Sequence, residues 1–86
     1  MPYVNQYKRD EIDTTNAVNS LIEVIDCAGD LNYTITKLCH VYVGKFGERY
    51  QTYNDLMGVL EGAKLELYRR KIAPYEDIKI VENRDV

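Results

Sequence analysis

The 86-residue chain has no tryptophan, one phenylalanine, two prolines, five glycines and two cysteines. So little proline and glycine excludes a collagen-like or low-complexity chain. Two cysteines are too few for a disulfide scaffold. If Cys27 closes one helix and Cys39 lies deep in the next, their heights in an antiparallel pair differ by ~12 Å, beyond disulfide reach. Both are therefore expected as small buried thiols in a reducing cytoplasm. A basic excess is also missing: eleven Lys and Arg stand against fourteen Asp and Glu, for a net charge of −3. That balance speaks against generic nucleic-acid binding. No apolar run approaches the ~18–20 residues of a membrane span. The start, Met1 to Tyr7, has neither the basic residues nor the apolar core of a signal peptide.

Chemistry-bearing motifs are equally sparse. His40 is the only histidine, with no Cys or His at metal-ligand spacing, so no metal is expected. There is no glycine-rich phosphate loop, nucleophile elbow or carboxylate dyad. The paired acids Asp10/Glu11/Asp13 and Glu76/Asp77 sit at expected helix starts, where acids are favoured without any chemistry. No catalytic residue and no cofactor is predicted, and a small hydrolase or nuclease accessory is the least favoured class.

What is present is a folded composition, 45% hydrophobic and 29% charged, with eight tyrosines. Length and composition fit one domain. Each tyrosine offers apolar area with a hydroxyl at its rim, suited to half-buried positions and interfaces.

The apolar spacing predicts an all-α, antiparallel three-helix bundle with short N- and C-terminal tails. The first helix covers about 11–28. Asp10 is its N-cap, Thr14, Val18, Leu21, Ile22, Ile25 and Ala28 share one face, and Gly29 caps its end. The second covers about 31–43, starting at Asp30 and carrying Leu31, Ile35, Leu38, Cys39 and Tyr42. Val41 and Val43 lie off that stripe, so this helix is apolar on more than one side. Gly44 to Gln51 reads as a loop. Thr52-Tyr53-Asn54-Asp55 has the form of a capping box and starts the third helix, about 53–72, with Leu56, Val59, Leu60, Ala63 and Leu67 inward. Pro74 is expected to end it. The segment from Tyr75 reads either as a helical turn or as a short strand.

Two constellations stand out. Gly58 and Gly62 are four apart on one helix face. Each costs about 1 kcal/mol relative to Ala, which close approach of a neighbouring backbone would offset, within the bundle or across a dimer seam. With Val41 and Val43 they form the expected interface of a two-fold dimer, because so small a core is marginal alone. Tyr68, Arg69 and Arg70 end the third helix. An antiparallel neighbour would bring the start of the second helix beside them, with Leu31 to Thr34 offering unpaired amides and Asn32, Tyr33, Lys37 and His40 leading away. A helix start beside two arginines suits phosphate, and a ring beside cations suits a nucleobase.

The stretches Gly29-Asp30-Leu31-Asn32-Tyr33-Thr34-Ile35-Thr36, Glu61 to Arg70 and Ala73-Pro74-Tyr75-Glu76-Asp77 resemble a family of small uncharacterised proteins from bacteriophages and bacterial or metagenomic sequences. The resemblance runs over most of the chain and transfers no catalytic residue. It implies a phage-type accessory protein in the host bacterial cytoplasm. The resulting expectation is a non-enzymatic protein that sequesters an anionic small molecule, such as a cyclic nucleotide signal of host defence. The alternative is an inhibitor or adaptor that binds a host protein through a tyrosine-rich face and takes no small ligand.

Overall fold

The computed structural model describes residues 3–84, and among these every regular element is helical. The chain falls into two compact units, residues up to Glu48 and residues from Arg49 onward. The helix count differs from the three expected, because one expected helix is two and another runs straight through its expected stop.

In the first unit the opening helix starts earlier than its acidic residues suggest. Asn5 is extended and its side-chain oxygen accepts from the Lys8 amide at 2.9 Å, so Asn5 is the N-cap of α1 (Gln6–Thr14). Asp10, expected to be that cap, lies inside α1 and accepts from the Gln6 side-chain amide at 2.7 Å. The helix then breaks where none was expected. The Thr14 and Thr15 hydroxyls donate back to the carbonyls of Asp10 and Ile12 at 2.6 and 2.7 Å. Asn16 takes a left-handed conformation, φ 56°, which asparagine tolerates better than most residues. Local side-chain hydrogen bonds thus compete with helix propagation, and α2 (Ala17–Val24) begins afresh.

Gly29 does not end that helix. Ile25 leaves it in an extended conformation and Cys27, also extended, is the N-cap of α3 (Ala28–Phe46). Gly29 therefore sits in the first turn of α3. Asp30 provides the anchor: its Oδ2 accepts from the Asp26 amide at 3.0 Å, a close relative of the reciprocal bond in a capping box. Cys27 is exposed and Cys39 half-buried, so neither is the buried thiol expected, and both are free. Separated by most of α3, they stand ~18 Å apart along its axis. The C-terminus of α3 needs glycine. Gly47 has φ 96°, and its amide donates to Val43 O at 2.8 Å. Gly44, read as loop, is helical.

In the second unit α4 (Tyr50–Leu67) begins at Arg49, so Thr52 is an interior helical residue and not a cap. Thr52 and Leu56, one turn apart, are the buried residues of α4, 2% and 8% exposed. A π turn (Tyr68–Ile72) follows without interruption, and α5 (Ala73–Asn83) continues to the left-handed Arg84. Pro74 stands in the first turn of α5. Proline lacks an amide and its ring collides with the carbonyl four residues back, which breaks a regular helix. Here the preceding turn is widened: the Ala73 amide donates to Tyr68 O, five residues back. That widening lets the chain pass Pro74 as helix. The helical alternative for Tyr75 onward holds, over far more than one turn, and the strand alternative does not.

Candidate functional site

Leu56 is the only apolar residue that is buried among the described residues. Most residues of the apolar stripes that were to form a core are exposed, with Ile25, Cys39 and Tyr42 half-buried. Val18, Leu21 and Ile22 of α2 and Leu31, Ile35 and Leu38 of α3 line one cleft of about 370 Å³ inside the first unit. This is the face that the three-and-four spacing assigned to an intrachain core. Its wall is almost wholly aliphatic.

The residues expected to bind a ligand fall in both units. Asn32, Tyr33, Lys37 and His40 are all on α3 and all exposed. Spacings of four and three place Tyr33, Lys37 and His40 on one face. The amides expected to be free there are not. Leu31 N donates to Cys27 O at 3.2 Å, because α3 starts three residues earlier than the sequence suggested. The true first turn already holds an anion, Asp30. Its carboxyl is kept below the ordinary aspartate range, first by the Asp26 amide and then by the Cys27 thiol and amide.

Tyr68, Arg69 and Arg70 lie in the π turn. Both arginines are turned onto Glu66: Arg69 Nη2 is 3.3 Å from its Oε1, and Arg70 Nε bonds the same oxygen. Desolvation pushes the Glu66 carboxyl up, but the charges of Arg70 and Arg69 and their hydrogen bonds outweigh it and hold it below the usual range. The Tyr68 hydroxyl donates to Glu76 Oε1 at 3.0 Å. That hydrogen bond, together with the Glu76 charge, raises the phenol above its ordinary 10.0. The basic turn is therefore only partly neutralised: one carboxylate, Glu66, engages both guanidinium groups. Spacing signalled the Glu66–Arg70 pair. Nothing signalled Tyr68–Glu76, since Pro74 was read as a stop.

The residues expected at an interface are divided. Val41 is exposed and Val43 half-buried on α3. A Cβ built at Gly58 or Gly62 meets nothing within 4 Å, so no described neighbour makes the close approach that would explain the pair inside the chain. Among the described residues no group of three or more His, Cys, Asp or Glu could hold a metal ion. No helix of the described residues is long and apolar enough to cross a membrane.

No curated protein and no solved structure matches the chain. A family model does match, over residues 1–86. The chain belongs to the family described as Domain of unknown function (DUF6899).

Proposed function

We propose that this chain is a non-catalytic interaction module whose apolar helical faces are completed by another protein surface. The observation that carries the reading is the exposure of those faces, with Leu56 alone buried among the apolar residues described. Large exposed apolar patches on a charged, soluble composition mark protein-association sites. A helical bundle of the kind the sequence pattern implies then forms between chains. The resemblance to phage and bacterial accessory proteins supplies a setting for such a module, a bacterial cytoplasm in which it acts as an inhibitor or adaptor. The test is denaturation of the purified chain across a wide range of concentrations. Association that stabilises only the folded state makes the midpoint rise with concentration or with added partner. A monomer that unfolds cooperatively, with a midpoint independent of concentration and with strong amide protection in α2 and α3, would overturn the reading.

A second reading has one specific observation in its favour. Tyr33, Lys37 and His40 form an exposed aromatic and cationic line on α3, the chemistry that stacks a base and meets a phosphate. The engagement of Arg69 and Arg70 with Glu66 weighs against it. A thermal-shift panel of nucleotides, cyclic ones included, decides: a stabilisation abolished by Tyr33→Ala with Lys37→Ala supports sequestration, and no shift with any nucleotide removes it.

A further inference from the structure

We infer that the α2–α3 cleft is an isologous dimer surface, occupied by the same cleft of a second copy with the two α3 helices antiparallel. This rests on the interaction-module reading and names its partner.

Area is the first argument. Val18, Ile22, Leu31, Ile35 and Leu38 are 71, 55, 43, 39 and 60% exposed. Those fractions amount to roughly 500 Å² of aliphatic surface per copy, whereas a standard stable interface buries about 800 Å² per partner, a little over half of it apolar. One stripe therefore supplies the apolar share of one side of such an interface. An apolar patch of this size lies within the range of the largest patch on a monomer, and such patches are often functional.

Charge is the second argument. In a two-fold contact, residue i meets j and j meets i. On α3, Asp30 and Lys37 are two turns apart on the same flank of the Leu31–Ile35–Leu38 stripe. Antiparallel helices bring like flanks together. A two-fold axis near Thr34, which also lines the cleft, sets Leu31 against the partner's Leu38 and the flank of Asp30 against that of the partner's Lys37. Each interaction then occurs twice. Asp30 is already held as a carboxylate by the Asp26 amide and Cys27, which leaves a fixed anion beside that stripe. Lys37 is exposed and makes no ion pair among the described residues. Parallel copies related by a two-fold axis would bring unlike flanks together and keep Asp30 and Lys37 from meeting, so the reciprocal Asp30–Lys37 pairing is open to the antiparallel arrangement and not to the parallel one.

The experiment is site-directed crosslinking combined with sedimentation. In a Cys27→Ser/Cys39→Ser background, Thr34→Cys places one thiol beside the axis, and Tyr33→Cys places one on a face turned away from the cleft. The expected result is a covalent dimer on mild oxidation of the Thr34→Cys protein and little from the Tyr33→Cys protein. Ile35→Lys is expected to weaken dimerisation by roughly 100-fold, as for an anchor at an interface centre, while far-ultraviolet circular dichroism keeps its helical form. Lys37→Glu weakens it less, and more so at low salt. If Ile35→Lys fails to fold, the Lys37→Glu and Thr34→Cys results still decide. A dimer that neither crosslinks through Thr34→Cys nor responds to Lys37→Glu would overturn this surface and leave the interaction-module reading standing. A stable monomer whose α2–α3 cleft is covered by its own second unit would overturn both.

Discussion

The Tyr68 hydroxyl donates to Glu76 Oε1 at 3.0 Å across eight residues of continuous helix. In a regular α-helix residues eight apart are offset by about 80° around the axis. One widened turn absorbs a residue, so Tyr68 and Glu76 behave as though seven apart and come onto one face. The bond thus reports on the π turn, and Pro74 is the reason for the turn. Replacing Pro74 by Ala restores an amide and removes the ring clash. The expected outcome is a regular helix from α4 into α5, loss of the Tyr68–Glu76 bond, and a Tyr68 titration falling back toward its ordinary 10.0. An ultraviolet titration that compares Pro74→Ala with the parent, each against its Tyr68→Phe version, isolates this one tyrosine. An unchanged Tyr68 titration in Pro74→Ala would contradict the account.

The same bond gives a pH dependence. A tyrosine whose folded pKa lies above its unfolded value holds its proton more tightly in the native state. Its contribution is therefore complete below pH 10 and lost as pH rises through the elevated value. Once ionised, Tyr68 faces Glu76 as a like charge. The α5 segment should lose helix in that alkaline window, with α4 unaffected, and the Tyr68→Phe protein should show no such step. Residue-resolved amide exchange or carbon chemical shifts of Ala73–Asn83 make the comparison.

Glu66 and Asp30 act at the other end of the scale. Both carboxyls lie below their ordinary values of 4.5 and 3.8. A depressed folded pKa means that the stabilisation is present above the unfolded value and is lost as pH falls through the folded one. Acid should therefore loosen the π turn and the start of α3 below about pH 4.5, Glu66 first among the two by its unfolded value. Asp30→Asn should remove the acid step at Ala28–Leu31 and leave that at Arg69–Arg70. A single acid transition unaltered by Asp30→Asn would show that the two carboxyls do not act locally.

Helical class was legible because apolar residues recur at three and four throughout the chain, and long periodic segments are robust to end effects. The boundaries were not, for local reasons. Acidic residues at Asp10 and Asp30 mimic caps, and only Asp30 takes part in one, from inside the helix. Thr14-Thr15-Asn16 is a breaker that acts through hydroxyl back-bonding, which apolar periodicity does not register. Pro74 reads as a stop in sequence and becomes a first-turn proline once the preceding turn widens. Of the candidate ligand residues on α3, Tyr33, Lys37 and His40 do share a face, as their spacing says. Their expected amide partners vanish with a three-residue shift in the start of α3. The aliphatic cleft was visible as periodicity, but periodicity marks a face that seeks cover without saying which chain provides it.

At the first helix start, Asn5 accepts from the Lys8 amide at 2.9 Å and has no acidic substitute nearby in the first turn. Asn5→Ala should cost about 1 kcal/mol, the usual loss for a cap of this kind. Because α1 (Gln6–Thr14) has no buried residue, the loss should appear as fraying of α1 alone. Exchange at Tyr7–Arg9 should accelerate while protection in α3 is unchanged. Global destabilisation of the whole chain by Asn5→Ala would mean that α1 is coupled to the rest more tightly than its exposure allows.

The glycine pair of α4 discriminates between two seams. If Gly58 and Gly62 face an approaching backbone, a methyl group at either position separates the surfaces and weakens association. If the seam is the α2–α3 cleft, the same methyl meets open space, since a Cβ at either position has no neighbour within 4 Å. It then acts only on the helix, where Ala is favoured over Gly by about 1 kcal/mol. The expectation is that Gly58→Ala and Gly62→Ala each raise thermal stability by about that amount and leave the dimer dissociation constant unchanged in sedimentation equilibrium. A fall in association with either substitution would move the interface to α4 and restore the close-approach role that the spacing of the two glycines first suggested.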